Sequence, residues 1–260
     1  MKMTYKSLVV ASALAMAGLA HAATESVVVP VDGEGSALGV SLSNLSGTGT
    51  LAFSDDLLGA LAVAGIVTSA HAPATVDQTA TSISATAPVA SLSADIDDTA
   101  GTWSVTQVGT LGGADLVTGP PNFATNGGSL SITNITVDLV GKRILADVSG
   151  GNGLALQTGV HVWNYADITG PTSFASETGT VAANNTITGL TITQNAFDLF
   201  AQGLGLRPGG IAAMSAIADY GVITSAISTD VAVVPEPSTY ALAGIGLLIA
   251  GFAAKRRRAA

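Results

Sequence analysis

Ser129-Leu130-Ser131-Ile132-Thr133-Asn134-Ile135-Thr136-Val137-Asp138-Leu139, then Val140-Gly141-Lys142-Arg143, then Ile144-Leu145-Ala146-Asp147-Val148, is the stretch on which the fold turns. Leu130 and Ile132 alternate with polar residues, and so do Ile135, Val137 and Leu139, which is the period of a strand with one buried face. The phase slips by one residue at Thr133-Asn134. One extra residue in an antiparallel ladder is a β-bulge, and it returns the apolar set to the same face. Gly141-Lys142 supplies a turn, and Ile144, Ala146 and Val148 form the alternating partner strand. The segment predicts a bulged antiparallel hairpin.

The same texture extends in both directions from it. Val27, Val29 and Val31 alternate, as do Leu92 and Ala94, and Trp103, Val105 and Gln107. A further strand is expected through Val160, Val162 and Tyr165. Thr186 to Thr193 repeats the slip, with Ile187 followed by Leu190 and Ile192. Helical signals gather late in the chain. Asn195 reads as an N-cap with Asp198 in the first turn, Phe197, Phe200 and Leu204 follow at helical spacing, and Gly203 and Gly205 stop the run. Ile211, Met214 and Ile217 after Pro208 suggest a second short helix. Asp56 to Ala64 fits either a helix or a buried strand. The expected fold is mainly β: an antiparallel β-sandwich or barrel-like domain with a few short helices over residues 23–227, with 228–233 as a linker.

The net charge of −9 conceals a partition. Lys2 and Lys6 lie at the start and Lys255, Arg256, Arg257 and Arg258 at the end. Lys142, Arg143 and Arg207 are then the only cations of the body, against all but one of the 18 acidic residues. So acidic a surface repels phosphate backbones, which excludes nucleic acid as a partner. The absence of cysteine removes thiol catalysis, cysteine-based zinc sites and iron–sulfur clusters.

Both ends read as targeting segments. Residues 1–22 have a basic start, an apolar run from Ser7 to Ala20, and Ala20-His21-Ala22, the small-x-small pattern of a signal-peptide cleavage site before Ala23. Signal peptidase and Sec-type export machinery are the partners this implies. At the other end stand Val234-Pro235-Glu236-Pro237-Ser238-Thr239, an apolar run from Tyr240 to Ala254, and the cluster Lys255, Arg256, Arg257, Arg258. The prolines fix φ and hold their neighbours extended, a shape that processing enzymes bind. As a helix the apolar run reaches about 22 Å at about 1.5 Å per residue, short for a bilayer core of about 30 Å unless its ends snorkel. The cations are expected to stay cytoplasmic, leaving the chain N-out and C-in across the inner membrane.

This tripartite end, over residues 234–260, resembles the PEP-CTERM sorting domain of Gram-negative bacteria. The resemblance implies that an exosortase-type membrane enzyme recognises Pro235-Glu236-Pro237 and removes the tail. It also implies an association with exopolysaccharide and biofilm-matrix systems. The alternative is a permanent single-span anchor. Leu51 to Leu61, and Val137-Asp138-Leu139 with Ala146-Asp147-Val148, look like segments of uncharacterised PEP-CTERM proteins, a likeness that brings no activity with it.

The body offers little catalytic chemistry. His71 and His161 are its two histidines, where an imidazole metal centre usually needs two or three near each other, and neither H-E-x-x-H nor G-x-S-x-G occurs. Asp95, Asp97 and Asp98 crowd three carboxylates into four residues and are a candidate calcium site, although the spacing fails the EF-hand rule. Gly150-Gly151-Asn152-Gly153 and Gly127-Gly128 read as turns. Asn44-Leu45-Ser46, Asn134-Ile135-Thr136 and Asn184-Asn185-Thr186 match a glycosylation pattern that a threonine-rich chain produces by chance. Trp103, Trp163 and Tyr165 are either core or a sugar-stacking platform. The resulting expectation is a non-enzymatic, exported matrix or biofilm-associated structural protein without a cofactor. A polysaccharide- or small-ligand-binding module is the alternative, and a secreted hydrolase the second.

Overall fold

The computed structural model describes residues 24–233. The signal-peptide site at Ala20, Ala22 and Ala23, the sorting motif from Val234 to Ser238, the apolar run and the basic cluster all lie outside the described residues. Among the described residues no helix is long and apolar enough to cross a membrane.

In chain order the elements are β1 (Thr24–Pro30), β2 (Glu34–Ala37), β3 (Val40–Phe53), α1 (Asp55–Ala64), β4 (Ile66–His71), β5 (Thr75–Gln78), β6 (Ile83–Asp97), β7 (Thr102–Thr110), β8 (Gly113–Thr118), β9 (Ser129–Asp138), β10 (Arg143–Gly150), β11 (Gln157–Asn164), β12 (Asp167–Thr169), β13 (Ser173–Ala175), β14 (Gly179–Thr188), β15 (Thr191–Ile192), α2 (Gln194–Gly203), α3 (Pro208–Ser215) and β16 (Gly221–Val233). The fold is mainly β and antiparallel, with three short helices among the described residues.

The hairpin read from the sequence is β9–β10. Thr136 faces Leu145 and Thr133 faces Asp147, so Asn134 and Ile135 together oppose Ala146. Asn134 has φ +52°, a left-handed conformation that asparagine tolerates because its short side chain finds a local partner. That partner is Asp147, whose Oδ2 accepts from Asn134 Nδ2 at 2.9 Å. The device recurs on β3. Asn44 has φ +51° and donates to Asp230 Oδ2 at 2.8 Å across the β3–β16 ladder, where the register shifts. Two of the three glycosylation-like triplets are therefore bulges.

The sheet curls until its two ends meet. Its strand order runs β12, β14, β16, β3, β6, β7, β9, β10, β11, β15. Trp163 pairs with Ile192 and Asn164 with Thr191, while Asp167 pairs with Thr188 and Ile168 with Ile187. These two short ladders share one register, interrupted only at Tyr165–Ala166 and Gly189–Leu190. β11 with β12, and β14 with β15, thus act as two bent strands that close a ring of eight. Closure pairs the edges that an open sheet would expose.

Three local expectations need correction. Residues 228–233 are not a linker: they finish β16, which is paired with β3 on one side and β14 on the other. The turn-like Ser228-Thr229-Asp230 reads as linker because it faces a bulge on β3, where Asn44 and Leu45 together oppose Thr229. The N-cap of α2 is Thr193, whose hydroxyl accepts from Ala196 N at 3.2 Å, and Asn195 lies inside the helix. Alternation in β7 does not continue from Val105 to Gln107. The register shifts there, so the inward set resumes at Val108. The ambiguous segment is helical: Ser54 caps α1 by accepting from Leu57 N at 3.1 Å, and Gly65 closes it at φ +66°.

Candidate functional site: an apolar cavity inside the curled sheet

Residues of alternate positions line the interior of the ring: Gly49, Leu51 and Phe53 on β3, Ala85, Ala87 and Val89 on β6, Val181, Ala183, Asn185 and Ile187 on β14, and Ile223, Ser225, Ile227 and Thr229 on β16. On β9 the bulge carries the lining from Leu130 and Ile132 over to Ile135 and Val137. They enclose a cavity of about 160 Å³. An engineered apolar cavity of about 150 Å³ takes up benzene, so this volume suits a small organic molecule. Eight-stranded barrels have interiors that side chains can fill or that hold one small ligand.

The space arises from a choice of small residues. Asn185 pairs with Ser225, Ser225 with Gly49, and Gly49 with Ala87. These four form one inward-facing row across β14, β16, β3 and β6. The adjacent row, Ile187, Ile223, Leu51 and Ala85, is larger. Two buried clusters flank the cavity. Leu130, Ile144, Val162, Trp163, Leu190 and Phe200 belong to one, and Val29, Leu42, Leu45, Leu92, Ile96 and Trp103 to the other. Leu61 of α1, Phe200 of α2, Leu204 at its C-cap and Met214 of α3 also contribute to the wall.

Gly49 is the informative residue of the row. Glycine inside a strand costs roughly 0.5–1 kcal/mol relative to alanine unless the backbone or a close neighbour demands it. Gly113, by contrast, has such a reason: a β-carbon there would lie 2.0 Å from the Ile132 carbonyl oxygen. At Gly49 a β-carbon would meet only the Thr110 methyl, at 3.6 Å, an ordinary contact. Packing does not require a glycine at this position. No periodicity or motif marks it in the sequence, because its neighbours in the row come from strands far apart in the chain.

The lining holds no carboxylate, imidazole, amine or guanidinium among the described residues. Its polar groups are few. Thr110 Oγ1 donates to the Ile135 carbonyl at 3.1 Å and Thr229 Oγ1 to the Ser43 carbonyl at 2.8 Å. The indole N–H groups of Trp103 and Trp163 and the hydroxyl of Tyr220 are buried without partners among the described residues. Burial in this apolar setting drives the Tyr220 phenol well above the ordinary tyrosine range. Trp163 stands edge-on to Phe200, with ring centroids 6.3 Å apart, and Trp103 lies against Phe174 at 4.7 Å.

The sequence-predicted candidates lie elsewhere. Trp103, Trp163 and Tyr165 are 1 %, 3 % and 4 % exposed, so they are core and offer no sugar-stacking face. Asp95 accepts from Ser26 Oγ at 2.6 Å, and Asp97 accepts from the N–H groups of Thr99 and Ala100, both at 2.9 Å. Asp95 therefore braces the β1–β6 ladder, while Asp97 and Asp98, which accepts from Thr99 Oγ1 at 3.3 Å, close the β6–β7 hairpin corner. Among the described residues no three His, Asp or Glu side chains converge to hold a metal ion. His71 Nδ1 sits 3.1 Å from Asp115, whose carboxylate also accepts from Ser131 Oγ at 2.6 Å. This places the carboxylate between hydroxyl and imidazole, the wrong order for a serine–histidine–aspartate relay. His161 lies on β11, with Nε2 buried and unpartnered among the described residues.

Residues 233–258 match the family model of the PEP-CTERM protein-sorting motif. That motif marks an exported protein, anchored in the membrane and then processed by an exosortase toward the cell surface. No curated protein gives a significant match to the chain. Two solved structures are similar. The heme binding protein HtaB from Corynebacterium glutamicum shares 14 % identity, with 72 % of this chain and 96 % of that chain covered and a TM-score of 0.42. The C-terminal domain of HtaA from the same organism shares 12 % identity, with 72 % and 99 % covered and a TM-score of 0.41.

Proposed function

We propose that this chain is an exported, tail-sorted surface protein whose body holds one small apolar molecule inside the curled sheet. The observation that carries the reading is Gly49: a strand position left without a side chain, above a cavity, where an alanine would fit. Burial of apolar surface contributes about 25 cal/mol per Å². A nearly uncharged apolar wall therefore supplies affinity for a ligand of matching size. The same wall supports a binding module over a hydrolase, since it presents no nucleophile–base pair. The sorting tail supports export toward the cell surface, where the holding of a small molecule would take place. A polysaccharide platform has no support, because its aromatics are core.

The test is the content of the protein as secreted. Protein recovered from the culture medium, denatured and extracted with organic solvent, should release about one equivalent of an apolar compound. An extract without such a compound, from protein that also takes up no added aromatic hydrocarbon, would overturn the reading.

A further inference from the structure

The row Asn185, Ser225, Gly49 and Ala87 is graded, polar at one end and bare at the other. Four strands at about 4.8 Å spacing make it about 14 Å long. Of the lining hydroxyls, those of Thr110 and Thr229 are spent on backbone carbonyls. The hydroxyl of Ser225 has no partner among the described residues, although it faces the cavity. Its cross-strand neighbour Asn185 is half satisfied. In the orientation that suits its surroundings, the amide nitrogen donates to the carbonyls of Pro171 at 3.2 Å and Asn184 at 3.1 Å. The segment around Gly170 and Pro171 packs directly against it, since a β-carbon on Gly170 would overlap the Asn185 amide. In that orientation no donor among the described residues reaches the Asn185 carbonyl oxygen, and Ser225 is its cross-strand partner.

We infer that the molecule held in the cavity is neutral and carries one hydroxyl group, which donates to Asn185 Oδ1 and accepts from Ser225 Oγ. Its apolar body lies over Gly49 and Ala87. The inference rests on the cavity being a binding site and adds the chemical class of what it takes. A charged ligand is disfavoured because no opposite charge lines the wall, and an unpaired buried charge is costly. A purely hydrocarbon ligand would offer no partner to the Ser225 hydroxyl or the Asn185 carbonyl.

The experiment is equilibrium dialysis of the secreted protein with 2-naphthol, 2-methoxynaphthalene and naphthalene, on the wild type and on Ser225→Ala. The affinity ratio of naphthol to naphthalene should fall about fivefold in Ser225→Ala, the usual worth of one neutral hydrogen bond, while naphthalene binds both proteins alike. On the wild type alone, 2-methoxynaphthalene, which cannot donate, should bind more weakly than naphthol. A ratio unmoved by the substitution, with naphthol and its methyl ether bound equally, would overturn the inference and leave the cavity reading intact. Failure of the wild type to bind any of the three would overturn both.

Discussion

The Cγ2 methyl of Thr110 on β7 lies 3.6 Å from the place a β-carbon would take at Gly49 on β3, an ordinary contact across β6 in the wall of the cavity. Gly49→Ala is expected to stabilise the protein by about 0.4–1 kcal/mol, because alanine restricts the unfolded chain and fits the native backbone. The same methyl group should weaken ligand uptake. Chemical denaturation and a binding titration on one preparation measure both effects. A loss of stability would mean that the space above Gly49 is already filled.

The bulge residues Asn134 and Asn44 each combine a left-handed backbone with a hydrogen bond to an aspartate on the facing strand, Asp147 and Asp230. Asn134→Ala loses both features and should cost about 1–2 kcal/mol. Asn134→Gly keeps the backbone freedom and should cost less than half of that. Urea midpoints of the two variants separate the backbone contribution from that of the side chain.

Asp138 ties the β9–β10 turn together. It accepts from Gly141 N at 2.8 Å and from Arg143 Nε at 2.7 Å, and the Gly141 backbone bond, then Arg143, hold its carboxyl below the usual range against the opposing effect of burial. A lowered folded-state pKa adds stability that is fully present above the ordinary aspartate value. It is lost as the pH falls through the lowered one. Asp138→Asn should therefore cost about 1–3 kcal/mol at pH 7. The difference from wild type should shrink below about pH 4. Urea titrations at pH 7 and pH 3 check the sign.

Val233 is both the last residue of β16 and the first residue of the sorting-motif match. Residues 234–239 then separate the folded body from the apolar run. Intact mass of protein from surface and medium fractions should correspond to a chain from Ala23 to near Pro237. A mass retaining Lys255 to Arg258 would identify a lasting anchor. Glu236→Ala should shift the recovered protein toward that longer mass.

Much of the sheet was legible because burial imposes a period of two. The slip at Thr133-Asn134 located a bulge, and the turn at Gly141-Lys142 located a hairpin. The closing corner was legible only as a slip in Thr186 to Thr193, since ring closure depends on residues distant in sequence. The end of β16 was misread because Asp230 and Thr229, polar in sequence, serve a bulge and a bond to the Ser43 carbonyl. The cavity was invisible for a related reason. It consists of what is missing at Gly49, Ala87 and Ser225, and one sequence carries no sign that three small residues share a row. In the acidic cluster, Asp97 accepts from the backbone of the β6–β7 turn and Asp95 from Ser26 on β1, roles that composition alone does not distinguish from a ligand set.

The most direct measurement is naphthalene binding to the wild type and to Gly49→Val, each first shown to be folded by its cooperative urea transition. Saturable binding of one equivalent by the wild type, reduced at least tenfold in Gly49→Val, is the result this account predicts. Equal binding by the two proteins, or no binding by the folded wild type, would contradict a ligand site inside the curled sheet.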